Sequence, residues 1–398
     1  MRAFERSLAD FPAPSPEALA VSARLAARIA AEIAAAGGRL RFDRYMQLAL
    51  YAPGLGYYSA GSRKFGADGD FTTAPELSPL FARCLARPCA QVLAALGGGD
   101  VLEFGAGTGT MAAGVLAELA RLDCLPGRYR ILDASAELRE RQRATLAAKV
   151  PALLDRVEWL DALPPAGSLR GVVLGNELLD AMPVRRFRIG ADGPQELYVR
   201  GDAATGFELV AGPADAGCRA AVAAIEAAVG PLAEGYESEW NPALPAWFAS
   251  LGETLAAGAA ILIDYGHPRR AYYHPSRARG TFLCHYRHRA HDDALVWPGL
   301  QDLTAHVDFT AVADAALAAG FEVAGYCTQA WFLFGCGLEA LLAEVDPEDL
   351  PRHVEAVRQV KLLTLPGEMG ERFQAIGLTK GIGLRLPAFA LRDERGRL

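Results

Sequence analysis

Hydrophobic and polar positions along this 398-residue chain fall into two rhythms that take turns. From Pro16 to about Ala36, apolar residues recur at helical spacing. Ser15 is placed to cap that segment, Pro16 occupies its first helical position, and Gly37-Gly38 closes it. A second short helix is expected over "RFDRYMQLALYA". The stretch from Gly54 to Phe81 holds too many glycines and aspartates for a long helix, and its tail, Ser78-Pro79, repeats the helix-start signal. The rhythm then changes. Apolar strands are expected at 100–104, 128–133, 156–160 and 170–175, with amphipathic helices near 109–122 and 135–149. Strands that alternate with helices in this way build a parallel sheet covered on both faces.

The alternation pauses at roughly 184–245, where "VRRFRIGADGPQELYVR" reads as a hairpin turning at "ADG" and a helical piece follows. It resumes with "AAILIDYG", Ala259 to Gly266. A polar, His-rich loop is expected up to about residue 300, then a helix at 309–319, the strand "FEVAGYC", a helical section at 337–365 and a last strand near "RFQAIGLTK". The expected class is therefore α/β, a Rossmann-like sheet with an N-terminal helical cap and insertions after strands 4 and 5. The sequence carries no internal repeat and no low-complexity linker.

Composition narrows the function more than the fold. The chain is 52% hydrophobic and 22% charged, which describes a globular protein with a large core to bury. A net charge of −7 argues against nonspecific nucleic-acid binding, because phosphate contacts need a basic surface. Seven cysteines are scattered with no C-x-x-C pair, which suits a reducing compartment and argues against a disulfide framework or a zinc ribbon. The first twenty residues lack the apolar core of a secretory signal and carry Glu5, Asp10 and Glu17, which a transit peptide would avoid. With no apolar run of membrane-spanning length, the expected localisation is cytoplasmic, without membrane insertion.

The candidate chemistry gathers at strand ends. "VLEFGAGTGT", Val101 to Thr110, runs from an apolar strand through Glu103 into Gly105, Gly107 and Gly109. A dinucleotide fingerprint would need a third glycine where Thr110 stands, and a P-loop would need G-K-[ST]. What remains is a small nucleoside lying over the loop. Glycines let the backbone approach it, the helix start offers N–H groups to a carboxylate, and Glu103 supplies an anion near an ammonium or sulfonium. A tight turn using glycine only for packing is the plainer alternative. The second strand, "RYRILDAS", ends in Asp133, placed to accept hydrogen bonds from a ribose diol. Either Asp133 or Ser135 can instead cap the next helix. The third strand's end offers Trp159 and Leu160 as an apolar wall beside an adenine, although Trp159 is equally a core residue.

The fourth strand carries the least ordinary signal, "GVVLGNELLDAMPVRRF". Asn176 and Glu177 follow an apolar run, where ligands of such sheets bind. A helix starting at Glu177 would put Asp180 on the same face. The same residues also suit a helix cap, with Asn176 at the cap and acids in the first turn. The two readings are evenly matched on physical grounds.

At these blocks the chain resembles the MidA family of class I S-adenosylmethionine-dependent methyltransferases, which includes mitochondrial assembly factors for respiratory complex I. The resemblance rests on "YAPGLGYYS", "GDFTTAPELSPLF", "EFGAGTG", "LDASAELRERQ", "LGNELLDAMPVRRF", "ILIDYGHP", "HPSRARGTFLCHYRHRAHDD", "GLQDLTAHVDFT" and "MGERFQAIGL", which span about residues 40–380. Two positions depart from the pattern. Asp133 stands where Glu is commoner, and Thr72 where an apolar residue is commoner. The resemblance implies a cofactor site made of Glu103, Gly105, Gly107, Gly109 and Asp133, with the Gly69–Glu76 block, including Phe71 and Thr73, folded over S-adenosylmethionine. Ser135, Trp159, Leu160 and Asn176 complete the expected cofactor set.

The resulting division places residues 1–80 as the helical cap contributing to the cofactor site. Residues 81–183 and 246–398 form the methyltransferase core, and the insertions 184–245 and 267–300 form a substrate-binding region. The resemblance implies a protein arginine as acceptor, on a substrate like a respiratory complex I subunit. Glu177 is the first choice to grip it, Asp180 and Asp264 are alternates, and His306 with Asp308 can orient it or take a proton. A cofactor-binding scaffold with little catalysis and a small-molecule methyltransferase are the alternatives. The fourth strand lacks the [DNS]-P-P-[YF] loop usual for nucleic-acid amine methylation, so that substrate ranks low. Oligomeric state is left open, a homodimer included. No metal is expected: Cys284, His285, His288 and His291 crowd together, but their spacing does not converge three ligands on one helical face.

Overall fold

A computed structural model of the chain describes residues 11–59 and 73–398. It separates into two compact units: Thr72–Leu179 with Leu244–Gly266 and Phe309–Leu398, and Met1–Phe71 with Asp180–Ala243 and His267–Asp308.

The first unit is built on strands β1 (Asp100–Phe104), β2 (Tyr129–Leu132), β3 (Val157–Leu160), β4 (Leu169–Asn176), β5 (Leu255–His267), β6 (Glu322–Thr328) and β7 (Phe373–Lys380). They lie in the order β3-β2-β1-β4-β5-β7-β6. The five strands β1 to β5 are parallel, while β7 runs antiparallel between β5 and β6. β1 and β4 lie at the centre of the sheet, and nearly every residue within Val101–Phe104 and Gly171–Gly175 is apolar and buried. The order reverses at β1 and β4, so their carboxyl ends flank the crevice where such sheets take ligands. At the opposite end Gly171, at φ +147, is packed so closely that a Cβ would lie 1.8 Å from the Asp100 carbonyl. Only glycine fits there.

Helices α1 (Pro79–Leu96), α2 (Thr110–Arg121) and α3 (Ala136–Lys149) follow the sequence signals. Ser78 caps α1 through the Leu80 amide, and Ser135 caps α3 through the Leu138 amide. α1 and α2 bury Phe81, Leu85, Val115, Leu116 and Leu119 in one core with Val101, Ile131, Val172 and Ile261.

The second unit is antiparallel. Strands Leu40–Arg41, Gly193–Asp202, Arg185–Gly190 and Glu237–Trp240 are neighbours in that order, with Gly206–Pro213 on the other edge of Gly193–Asp202. Helix Pro16–Ala35, capped by Ser15, contributes Leu25, Ile29 and Ile33 to a core shared with Phe42, Tyr45, Phe282 and Leu303. Arg185 is buried against Glu196 (Nε to Oε1, 2.7 Å) and also pairs with Asp215. The N-terminal helices thus group with the inserted segments, a grouping that local patterning does not carry.

One expectation fails outright. The His-rich segment is not a loop: Leu283–Tyr286, Arg289–His291 and Asp302–Thr304 form a three-stranded sheet. Its tight turn uses Arg287 and His288 at φ +47 and +60, the left-handed geometry a two-residue hairpin needs. Neither residue announces that geometry, as Asn-Gly would.

All seven cysteines are free thiols, and all but Cys124 are buried. Burial pushes the Cys84 and Cys218 thiols up to about 12, and those of Cys89, Cys284, Cys327 and Cys336 rise as well. Among the described residues no helix is long and apolar enough to cross a membrane.

Candidate functional site

The glycine loop leaves β1 at Phe104 and enters α2 at Thr110. Gly105, Gly107 and Gly109 take φ +61, +53 and +84, conformations that side chains disfavour. They serve two ends. A Cβ on Gly107 would meet nothing within 4 Å, so that backbone faces open space, whereas one on Gly109 would lie 3.0 Å from the Cα of Gln142. The loop is therefore bare on one side and pressed onto α3 on the other.

Asp133 follows β2 and is 9% exposed. Its Oδ1 accepts the Ser135 N–H at 2.9 Å and its Oδ2 accepts Gln142 Nε2 at 2.8 Å. Burial raises its pKa, and these two hydrogen bonds pull it back toward the ionised form. Each oxygen keeps lone-pair capacity for a further donor. Arg139 braces the same edge, donating to the carbonyls of Asp133 and Leu160 at 2.7 Å each. The Trp159 indole donates to Gln142 Oε1 at 2.9 Å, with the Arg143 guanidinium 4.6 Å from its ring centroid. Leu160, half-buried, ends β3 beside it. Ser135 acts here as the α3 cap.

Glu103 departs from its expected setting. It has no accessible surface; Tyr129 Oη donates to its Oε2 at 2.5 Å, and its Oε1 has no partner. Burial lifts its pKa from 4.5 to about 7, the Tyr129 bond lowers it, and the Asp133 charge raises it further. Its carboxyl is sealed from solvent, and burial disfavours its charged form.

Asn176 closes β4, and its side-chain N–H donates to Glu177 Oε1 at 3.0 Å, while its own Oδ1 is buried without a partner. No helix starts at Glu177, so Asn176 caps none and Asp180 shares no helical face. Glu177 instead sits at φ +51, and the Leu178 and Leu179 amides donate to Asp264 Oδ2 at 3.0 and 2.7 Å. Asp264 Oδ1 also accepts the Tyr265 N–H at 2.9 Å. Buried to 1% exposure, Asp264 is a clamp on the backbone after β4. A strained non-glycine residue at a strand end is a mark of functional sites.

The other two expected catalytic groups belong to the second unit. Asp180 is 5% exposed, and its carbonyl accepts the Ala305 N–H. His306 donates its backbone N–H to Thr281 Oγ1, and its ring lies 5.5 Å from that of His267. Asp308 accepts Arg269 Nε at 3.0 Å. From the N-terminal block, Phe71 lies outside the described residues. Thr73 precedes the one-turn helix Ala74–Leu77, whose Glu76 accepts a hydrogen bond from Thr108 of the glycine loop. Cys284 and His291 face each other across the hairpin, and among the described residues no group of three His, Cys, Asp or Glu could hold a metal.

Sequence reasoning missed Gln142 and Tyr129, and named Glu76 only as the end of the Gly69–Glu76 block. Gln142 did leave a signal. Leu138, Gln142 and Leu146 form the buried stripe of α3, and a lone amide within such a stripe needs partners.

A sheet of order 3-2-1-4-5-7-6 in which only β7 is antiparallel, with a glycine loop at its switch point and an acid after its second strand, defines a nucleoside-binding site of the doubly wound α/β class. The comparisons make that class specific. Residues 84–327 match the family described as "Putative S-adenosyl-L-methionine-dependent methyltransferase". A crystal structure from Burkholderia thailandensis, bound to S-adenosyl-homocysteine, is 50% identical with a TM-score of 0.93, covering 98% of this chain and 100% of that one. A second, native structure from the same organism is 49% identical with a TM-score of 0.90 over the same shares. The mitochondrial protein arginine methyltransferase NDUFAF7 of Danio rerio is 28% identical over 375 residues, 85% of this chain and 83% of its own. Its Drosophila melanogaster homologue is 28% identical over 391 residues, 87% and 82% of the two chains. The chain belongs to this methyltransferase family and uses S-adenosylmethionine.

The residues fit that cofactor. A bare face at Gly107, spare lone pairs on Asp133 and an unpartnered Asn176 Oδ1 are what a nucleoside with a ribose diol and an amino-acid tail can use.

Proposed function

We propose that this chain methylates a protein arginine, with Glu177 holding the acceptor. The observation that carries the reading is Glu177 itself, an acid in left-handed geometry at the carboxyl end of β4, on backbone clamped by Asp264. The names of the curated relatives support the arginine. The family resemblance makes a respiratory complex I subunit the first substrate to assay.

S-adenosylmethionine supplies an electrophilic methyl group when bound. Asp133 would hold its ribose, Trp159 and Leu160 would line its adenine, and Gly105, Gly107 and Asn176 would take its amino-acid end. The remaining task is to make a cationic guanidinium attack. A carboxylate that grips it bidentately orients one nitrogen and offsets its charge, which lets lone-pair density collect on the nitrogen that attacks. Asn176, bonded to Glu177 Oε1, fixes the direction of that grip. Alignment of this kind supplies most of the acceleration in methyl transfer. The seven free thiols suit a reducing compartment, and the curated relatives are named mitochondrial.

Mass spectrometry of a knockout against the parent strain should show one lost methylarginine. Glu177→Gln should bind S-adenosylhomocysteine normally and lose about 100-fold or more in transfer. Full transfer by that variant would remove Glu177 from the role.

A further inference from the structure

Three parts of the cofactor site come from separate elements: the glycine loop after β1, Asp133 after β2, and Trp159 on β3. One side chain touches all three. Gln142, fully buried on α3, donates from Nε2 to the Gly107 carbonyl at 3.1 Å and to Asp133 Oδ2 at 2.8 Å. Its Oε1 accepts the Trp159 indole N–H at 2.9 Å. The loop also rests on the backbone of this residue, where a Cβ on Gly109 would come within 3.0 Å of its Cα.

The bonding fixes which way the amide faces. Turned over, it would set Nε2 against the indole N–H and Oε1 against a carboxylate and a carbonyl, replacing three attractions with three repulsions. A buried amide with both ends satisfied holds its partners in one arrangement. Here the partners are the oxygen offered to the ribose, the ring offered to the adenine, and the carbonyl of the loop's bare turn.

We infer that Gln142 is the positioning residue of the nucleoside pocket, setting the distance and angle between the ribose acceptor and the adenine wall. It does so without touching the ligand. The inference rests on assigning Asp133 and Trp159 to the cofactor, so its test includes variants of those residues. It does not depend on the identity of the methyl acceptor.

The isosteric Gln142→Glu keeps the acceptor for Trp159 but turns a carboxylate toward Asp133. Gln142→Met keeps volume and removes every polar contact. Other charges facing this cluster are Arg139 and Arg143 on α3 and Glu103 on β1. Affinity for S-adenosylhomocysteine, measured by calorimetry on the full chain at pH 8 and pH 6, is compared with wild type at each pH, with melting curves confirming a folded protein. Gln142→Glu should bind about tenfold or more weakly at pH 8, a loss of about 1.4 kcal/mol. That loss should shrink at pH 6, because the introduced carboxyl, once protonated, regains a donor for Asp133. Gln142→Met should lose affinity equally at both pH values. Trp159→Phe should weaken Gln142→Glu less than it weakens wild type, since the two share one bond.

If Asp133→Asn weakens binding while Gln142→Glu stays within about twofold of wild type, the positioning role falls. Equal losses in Gln142→Glu and Gln142→Met at both pH values would also overturn it, reducing residue 142 to packing. If Asp133→Asn itself binds normally, the underlying assignment of the ribose site falls instead.

Discussion

Glu103 and Asp133 are acids from neighbouring strands, and their surroundings separate their chemistry. Asp133 is held by two N–H donors that favour its charge. Glu103 has one phenol and an unpartnered oxygen, and its pKa rises from 4.5 to about 7. The native state therefore binds more protons than the unfolded chain between those values. Stability from this group is complete below about pH 4.5 and is lost as pH rises through about 7. Glu103→Gln should remove that dependence. Its melting temperature should match wild type near pH 5 and exceed it at pH 8, by an amount corresponding to about 2–3 kcal/mol. A gap that does not widen with pH would show that Glu103 is already ionised in the fold. The positions of Asp133, Asn176 and Glu177 were legible in the sequence because each is a polar residue where an apolar strand stops. The roles of Gln142 and Asp264 were not. Gln142 is recognisable only once three elements meet around it, and Asp264, named as a catalytic alternate, commits Oδ2 to amides 86 and 85 residues away and Oδ1 to the Tyr265 N–H.

The segment after β4 shows why elements at a site resist prediction. Its sequence suits a helix start, with Asn176 as cap and acids behind it, yet the chain turns at Glu177 and the Leu178 and Leu179 amides go to Asp264. A carboxylate on β5 satisfies the donors that a helix cap would have satisfied, and local propensity yields to it. Asp264→Ala should free those amides and raise their hydrogen-exchange rates about tenfold or more, whereas Asp264→Asn, which keeps an acceptor, should fall between. Unchanged exchange in the alanine variant would remove the clamp. The positions of β1 to β4 followed the apolar rhythm closely, but the strand order and the contact between β4 and β1 did not. Gly171→Ala would force a methyl group into the Asp100 carbonyl. Urea unfolding should show a loss of about 3 kcal/mol or more. The hairpin at Arg287-His288 was missed for a related reason, since its turn is imposed by the strands it joins.

Two units account for the chain, and the one carrying β1 to β7 holds the glycine loop, Asp133, Asn176 and Glu177. The linear sequence hides this division, because each unit is assembled from three separated segments. S-adenosylhomocysteine at 100 times its Kd should stabilise the unit that binds it by about 2.7 kcal/mol. The buried thiols turn that expectation into a clock. Cys84, Cys89, Cys327 and Cys336 lie in one unit, Cys218 and Cys284 in the other, and none can be alkylated until its surroundings open. Timed alkylation followed by peptide mapping would give each unit its own opening rate from unmodified protein, with no label engineered in. Ligand should slow the first group alone; if it slows both groups equally, the two units open as one.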